Sequence, residues 1–265
     1  GLFTVLGGRA LRVETIAEKL ALQVTALQRL LRVLVVLGLV ENRGTAYANT
    51  ALARTYLCRR SRSYMGDYFI HCDTLQEQWL RVKPALKTGK MVQPEQQRIA
   101  DYPRQLTLFL AAMDALGRLK NPLIQKHIPP RSVSAMLDLG GGLGTHAVSY
   151  ARRNKNLNAI VFDLKDVVPQ ARRYIKAAGA AERVRALAGE ALSDALPPGP
   201  FDLVLIANVL HIYGADDCRA LIRKAAGVLA AKGILLVHDY FFGIGDQLAA
   251  GLFDMTMLSG TPEGR

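Results

Sequence analysis

Met136-Leu137-Asp138-Leu139-Gly140-Gly141-Gly142-Leu143-Gly144-Thr145 decides how the rest of the chain is read. The apolar run from Val133 to Leu139 predicts a buried strand, and it ends in a cluster of glycines. His146 to Arg153 then predicts the start of a helix. Strand, glycine turn and helix together bring backbone N–H groups close to a ligand at the positive end of a helix. The glycines recur as G-x-G-x-G at 140, 142 and 144, and Thr145 stands where a dinucleotide fingerprint would carry its third glycine. Alone, such a motif is equally compatible with a tight turn that holds nothing. The segments downstream decide.

From Val133 onward, strand-like and helix-like segments alternate. Ala159–Asp163 predicts a second strand, Pro169–Gly179 a helix, Val184–Ala188 a third strand and Phe201–Ala207 a fourth. Asp217–Ala230 predicts a helix and Gly233–Tyr240 a fifth strand. Alternation of this kind implies right-handed crossovers and an α/β fold with a doubly wound, mostly parallel sheet. Ligands bind beyond the carboxyl ends of the strands in such sheets. The chain places polar residues at those ends: Asp138 with the glycines, Asp163, Gly189-Glu190, Asn208 to His211, and Asp239. Asp163 follows Gly140 at about the ~20-residue interval expected of an acid that binds ribose hydroxyls. Each residue also has a plainer reading: Asp163 as a turn cap, Glu190 as a solvated acid, His211 as a packed histidine. Their recurrence at successive strand ends favours a site.

The front half reads differently. Thr15–Ala21 has the spacing of one helix face, and Thr25 can cap a second helix from Ala26 to Leu37, stopped by Gly38. Leu39–Ala48 predicts two short strands around Asn42-Arg43-Gly44. Helix, turn, helix, hairpin is a winged-helix order. A DNA reader would present polar side chains from the second helix, whereas Leu27, Leu30, Leu31, Leu34, Val35 and Leu37 crowd this one, leaving chiefly Gln28, Arg29 and Arg32. A core or a second subunit suits such a helix better than a nucleic acid. Tyr64–Leu86 and Tyr102–Leu119 predict further helices, broken by Thr88-Gly89-Lys90 and by the polar stretch Gln93–Arg98. Trp79, Phe109 and Met113 lie on apolar faces, and His71 and His127 read as structural.

Composition bounds the class. The chain has 265 residues, half of them hydrophobic, and no apolar run approaches the ~18 residues of a membrane span. Cys58, Cys72 and Cys218 form no C-x-x-C pair and read as reduced thiols of a cytoplasmic protein. No signal-peptide pattern opens the chain. No carboxylate cluster proposes a metal. The net charge of +12 is uneven: residues 1–130 hold 19 Lys and Arg against 9 Asp and Glu. With Pro129-Pro130, that asymmetry predicts domains at 1–130 and 131–265.

Leu137 to Gly144 resembles the glycine motif of S-adenosylmethionine-dependent methyltransferases. Phe201-Asp202-Leu203-Val204-Leu205-Ile206-Ala207-Asn208-Val209-Leu210-His211-Ile212-Tyr213 resembles the D-L-x-L…L-H-x-W/Y signature of plant-type and bacterial small-molecule O-methyltransferases. The winged-helix-like front half, Trp79 before Thr88-Gly89, and Phe109 to Met113 are similar to the same family, so the resemblance covers nearly the whole chain. It implies an α-helical, winged-helix dimerisation domain, with a homodimer formed through it, followed by a methyltransferase domain. It implies S-adenosyl-L-methionine as cofactor, held by Asp138, Gly140, Gly142 and Gly144. It further implies ribose binding by Asp163, with Leu164 beside the adenine and Glu190 and Ala191 at its amino edge. His211 matches a general base, Asp239 the acid that orients it, and Phe109, Met113 and Asn208 the acceptor pocket. The implied reaction is methylation of a hydroxyl, phenolic in expectation, on a small aromatic or pigment-like molecule. Methylation of carbon or nitrogen by the same fold, or a winged-helix DNA-binding regulator that senses S-adenosylmethionine, remain the alternatives. Glu190 stands where the family usually has Asp, and Ile212-Tyr213 where plant members often have Asp-Trp. The family also continues past the fifth strand with a helix and a final strand pair, so C-terminal strands are expected beyond Arg265.

Overall fold

The computed structural model describes residues 1–80, 82–89 and 103–260. The chain divides into compact units at Gly1–Ile70 and His71–Arg265.

In the first unit, α1 (Leu2–Leu6), β1 (Ala10–Arg12), α2 (Val13–Leu20), α3 (Val24–Val36), β2 (Val40–Arg43), β3 (Ala46–Asn49) and α4 (Ala51–Tyr56) follow in order. The expected hairpin is β2 and β3, and β1 joins it as a third antiparallel strand in the order β1-β3-β2. That strand is only three residues long, too short for a periodic signal. Leu6, Val13, Ile16, Leu27, Leu31 and Val40 form the core. Helix α3 starts at Val24, with Gln23 at its N-cap and no side-chain cap bond, so Thr25 lies inside the helix and does not cap it. Gly38 ends it at φ +68°, which lets Leu39 N–H donate to Leu34 O at 2.9 Å. Leu27 and Leu31 point into the core, while Leu30, Val33 and Val36 leave a second apolar face exposed within this unit.

The helix expected from Tyr64 to Leu86 is divided into α5 (Gly66–Thr74), within which the first unit ends, and α6 (Gln76–Leu80) and α7 (Val82–Thr88) of the second unit. The expected polar break at Gln93–Arg98 lies outside the described residues. Helix α8 runs from Pro103 to His127, past the expected end at Leu119 and through Pro122. It packs onto α9 (Thr145–Arg153): a Cβ at Gly117 would lie 3.1 Å from Thr145 Cγ2, Gln125 Nε2 donates to Ser149 Oγ (2.8 Å), and Tyr150 Oη donates to Ile128 O. The boundary at 130/131 read from charge therefore falls inside the second unit, because this basic helix closes on the sheet's own helices.

The sheet is five-stranded and parallel, in the order β6-β5-β4-β7-β8, with β4 (Ala135–Leu139), β5 (Asn158–Asp163), β6 (Val184–Ala188), β7 (Phe201–Ala207) and β8 (Leu229–His238). Side chains alternate across it. Met136, Val161, Leu203 and Leu205 face α8, α9 and α10 (Val168–Ala177). Leu137, Leu139, Val204 and Ile206 face Leu221 and Ala225 of α11 (Ala215–Gly227). Burial on both faces explains why β4 and β7 read as continuous apolar runs. The chain leaves β4 toward β5 and β6, then returns to the other side of β4 at β7. That reversal places the switch point between the carboxyl ends of β4 and β7. Beyond β8, α12 (Gln247–Gly260) packs against α6 and α7. No helix among the described residues is long and apolar enough to cross a membrane.

Candidate active site

The glycine turn leaves β4 at the switch point. Gly140, Gly142 and Gly144 all have positive φ, at +67°, +57° and +81°, a region that side chains other than glycine's rarely tolerate. A Cβ at Gly140 would lie 2.5 Å from Val209 Cγ2, and one at Gly144 2.9 Å from Val161 Cγ2. Glycine is thus required twice over at these two positions. At Gly142 the nearest side-chain atom would be Leu110 Cδ2 at 3.7 Å. Glycine there keeps open the space between the turn and α8.

Asp138 lies beneath the turn, fully buried, with its Oδ2 accepting Ala147 N–H at 3.3 Å. Its Oδ1 has no hydrogen-bond partner among the described residues. Burial pushes its carboxyl up to about 7, against the opposing Ala147 bond and with a smaller push from Asp163. Asp163, at the end of β5, accepts Gly142 N–H at 2.7 Å through Oδ2 and Leu164 N–H at 2.7 Å through Oδ1. Burial raises this carboxyl too, the two amide bonds oppose the shift, and Glu190 adds to it. Leu164 is exposed and Ala191 buried. Glu190 Oε1 accepts the Tyr213 hydroxyl at 3.2 Å. Burial and then Glu190 push that phenol above its ordinary value.

Val209, which packs against Gly140, is followed by a short 3₁₀ turn, Leu210–Ile212. Asn208 precedes it at φ +55° and donates its N–H to His238 O at 2.8 Å. Asparagine tolerates this conformation better than most residues. The turn delivers His211, whose Nδ1 lies 2.8 Å from Asp239 Oδ1, with the two side chains 10% and 2% exposed. Asp239 also accepts Tyr240 N–H on Oδ1, and Leu210 and His211 N–H on Oδ2. Burial alone would raise this carboxyl; the hydrogen bond and charge of His211 and these amides hold it below its ordinary value. Asp239 is therefore ionised at neutral pH and accepts only. His211 Nδ1 must then carry its proton, which leaves Nε2 as the basic nitrogen.

Two rings complete this corner. Phe253 on α12 meets His211 edge-on, with centroids 4.7 Å apart, and stacks on Tyr240 at 4.2 Å. Sequence reasoning singles out neither, because α12 follows the last strand without a periodic cue. Phe109 and Met113 lie half-buried on α8, on either side of Leu110 in sequence. The ring partner of Phe109 is His71, at 5.4 Å, and not the dyad. Asp202, inside the Phe201–Tyr213 stretch, accepts Ser134 and Ala135 N–H at the amino ends of the strands, remote from this edge.

A parallel sheet with a glycine cradle at its switch point and an oriented histidine nearby has the layout of a nucleotide-cofactor fold. Residues 96–265 match the family model described as an O-methyltransferase domain, and residues 1–59 match an O-methyltransferase dimerisation domain. The chain belongs to the O-methyltransferase family. It is 31% identical to the tetracenomycin polyketide synthesis 8-O-methyl transferase TcmO of Streptomyces glaucescens, over all of this chain and 79% of that protein. It is 26% identical to the 3-hydroxy-5-methyl-1-naphthoate 3-O-methyltransferase of Streptomyces sahachiroi, over 98% and 77% of the two chains. Among solved structures, human N-acetylserotonin methyltransferase in complex with S-adenosylmethionine shares the fold at a TM-score of 0.87 and 24% identity, over all of this chain and 80% of that one. The enzyme is an O-methyltransferase with S-adenosyl-L-methionine as its methyl donor. The residues present fit that donor: the unpartnered Oδ1 of Asp138 lies under the turn, and a side chain at Gly142 would enter the space above it.

Proposed function

We propose that this protein methylates a phenolic hydroxyl on a polyketide-like or naphthoate-like aromatic acceptor, with His211 as general base. The observation that carries the reading is the His211–Asp239 contact, two residues beyond the valine that packs on Gly140. Gly140, Gly142, Gly144 and Asp138 hold the methionine portion of the donor. Asp163 binds the ribose hydroxyls, with Leu164 beside the adenine and Glu190 and Ala191 at its amino edge. When bound, S-adenosyl-L-methionine supplies an activated methyl group on a sulfonium. His211 Nε2 takes the proton from the acceptor hydroxyl as the oxygen becomes nucleophilic, and Asp239 stabilises the resulting imidazolium. Phe109, Met113, Asn208 and Phe253 shape the acceptor pocket, whose task is to align the oxygen for in-line transfer. The acceptors named for the two bacterial relatives support the aromatic class. The residues matching a dimerisation domain, with exposed Val33 and Val36 on α3, support a homodimer.

The test pairs calorimetric titration of S-adenosylhomocysteine with methyl transfer to a panel of hydroxylated naphthoates. His211→Ala is expected to bind the ligand within about threefold of the parent while turnover falls by roughly 10²–10⁴. Asp163→Ala is expected to weaken binding by tenfold or more, in keeping with the loss of hydrogen bonds to a charged group, about 1.5–3 kcal/mol. Undiminished turnover in His211→Ala would remove the general-base assignment.

A further inference from the structure

Lys224, on α11, directs all three of its ammonium hydrogens at one short segment. Its Nζ lies 2.7 Å from Ala191 O, 2.8 Å from Leu192 O and 2.6 Å from Asp194 O. Among the described residues it forms no ion pair with a carboxylate. The segment it grips is a closed turn: Asp194 N–H donates to Glu190 O at 2.9 Å, and Glu190 N–H donates to Asp194 Oδ2 at 2.8 Å. Three carbonyls of one turn converging on a cation reproduce the electrostatics of a helix carboxyl end, where a lysine is favoured. Packing does not call for a charge here, because Leu221 and Ala225 bury α11 against the sheet. A half-buried ammonium also loses hydration, and its hydrogen bonds to the carbonyls offset that loss.

The turn is also restrained by the Tyr213 hydroxyl on Glu190 Oε1. With Lys224 at one end and Tyr213 at the other, both the backbone and the carboxylate of the Glu190 turn are held from outside β6. We propose that Lys224 is a positioning residue for base recognition: by clamping residues 191–194 it fixes the Glu190 carboxylate at the place where it accepts a hydrogen bond from the exocyclic amine of the donor's purine. This inference rests on the proposed assignment of Glu190 to the adenine edge.

The experiment measures, by titration calorimetry, the ratio of affinities for S-adenosylhomocysteine and its 6-deamino analogue, in which hydrogen replaces the purine amine. The parent enzyme is expected to prefer the amine-bearing ligand by roughly tenfold or more, the worth of a hydrogen bond to a charged acceptor. Lys224→Met is expected to bring that ratio below about threefold, and Lys224→Arg to restore most of it. A general loss of stability lowers both affinities or the binding stoichiometry and leaves the ratio unchanged, so an unchanged ratio in both Lys224→Met and Lys224→Gln overturns the proposal. Glu190→Ala, which removes the acceptor, separates the role of the lysine from that of the acid. If the parent discriminates, Glu190→Ala does not, and Lys224→Met still does, only the role of Lys224 fails. If the parent itself fails to discriminate, the Glu190 assignment falls and takes this inference with it.

Discussion

Two buried aspartates stand at the carboxyl edge of the same sheet, and they live under opposite electrostatics. Asp239, after β8, accepts three amide N–H groups and the His211 imidazole, and its carboxyl is held below the ordinary value. Asp138, near the end of β4, accepts one long amide bond, keeps an oxygen with no partner among the described residues, and is pushed up to about 7 by burial. The difference shows what burial does to a carboxylate. With enough donors the charge survives and can fix a histidine tautomer; with few, the proton stays on near neutral pH unless a cation arrives. One acid is finished by the protein itself, while the other is left electrostatically open beneath the glycine turn.

Replacing the finished acid has the largest expected effect. Asp239→Asn can no longer demand the proton on His211 Nδ1, so turnover on a phenolic acceptor is expected to fall by roughly 10²–10⁴ while calorimetric binding of S-adenosylhomocysteine persists. Retained turnover would break the contrast between the two acids.

Next comes the pH dependence of stability, followed by denaturant titration from about pH 2.5 to 8, a range that spans the carboxylate titrations on both sides of about 3.9. The folded-state pKa of Asp138 is raised to about 7, above its unfolded value of roughly 3.9. The folded protein therefore binds the extra proton in that window, and stability falls as pH rises from about 4 through about 7. Asp138→Asn is expected to flatten that fall; Asp163, whose carboxyl is also raised, leaves a residual slope of the same sign. Asp239 acts oppositely: its stabilisation is present above its unfolded value and is lost as acid titrates it through the folded one. Asp239→Asn is expected to flatten the acid limb alone. Identical pH curves for the two variants would contradict the electrostatic difference.

The smallest effect concerns Phe253, whose edge meets the His211 ring. Phe253→Leu keeps much of the apolar volume and loses the ring geometry, so chemical denaturation is expected to register about 0.5–1.5 kcal/mol. Turnover is expected to change less than in Asp239→Asn, because the hydrogen bond that sets the tautomer is untouched.

Much of the glycine turn and its surroundings is legible in the sequence. Gly140, Gly142 and Gly144 form a local pattern, and all three take the left-handed backbone that such a pattern implies. Asp163 is visible by interval, and the structure joins its carboxylate to Gly142 N–H. Other features are not legible. The division at residue 70 is hidden because charge marks a surface, whereas α8 belongs with the sheet through close packing at Gly117. Strand β1 is too short for a period to show. Phe253, Tyr240 and Lys224 act through partners 13 to 42 positions away, and neither hydropathy nor a motif marks such contacts.

By itself, the sequence determined the alternation of strands and helices, the glycine turn and the identities of the acids at the strand ends. Those are local properties, set by backbone sterics and by hydrophobic spacing along a few consecutive residues. Only the tertiary structure decided that His211 meets Asp239 across 28 positions, that Asp138 finds no donor for one carboxylate oxygen among the described residues, and that an ammonium from α11 grips the Glu190 turn. Each of these depends on how many donors reach a buried group, and that number exists only once distant segments have packed.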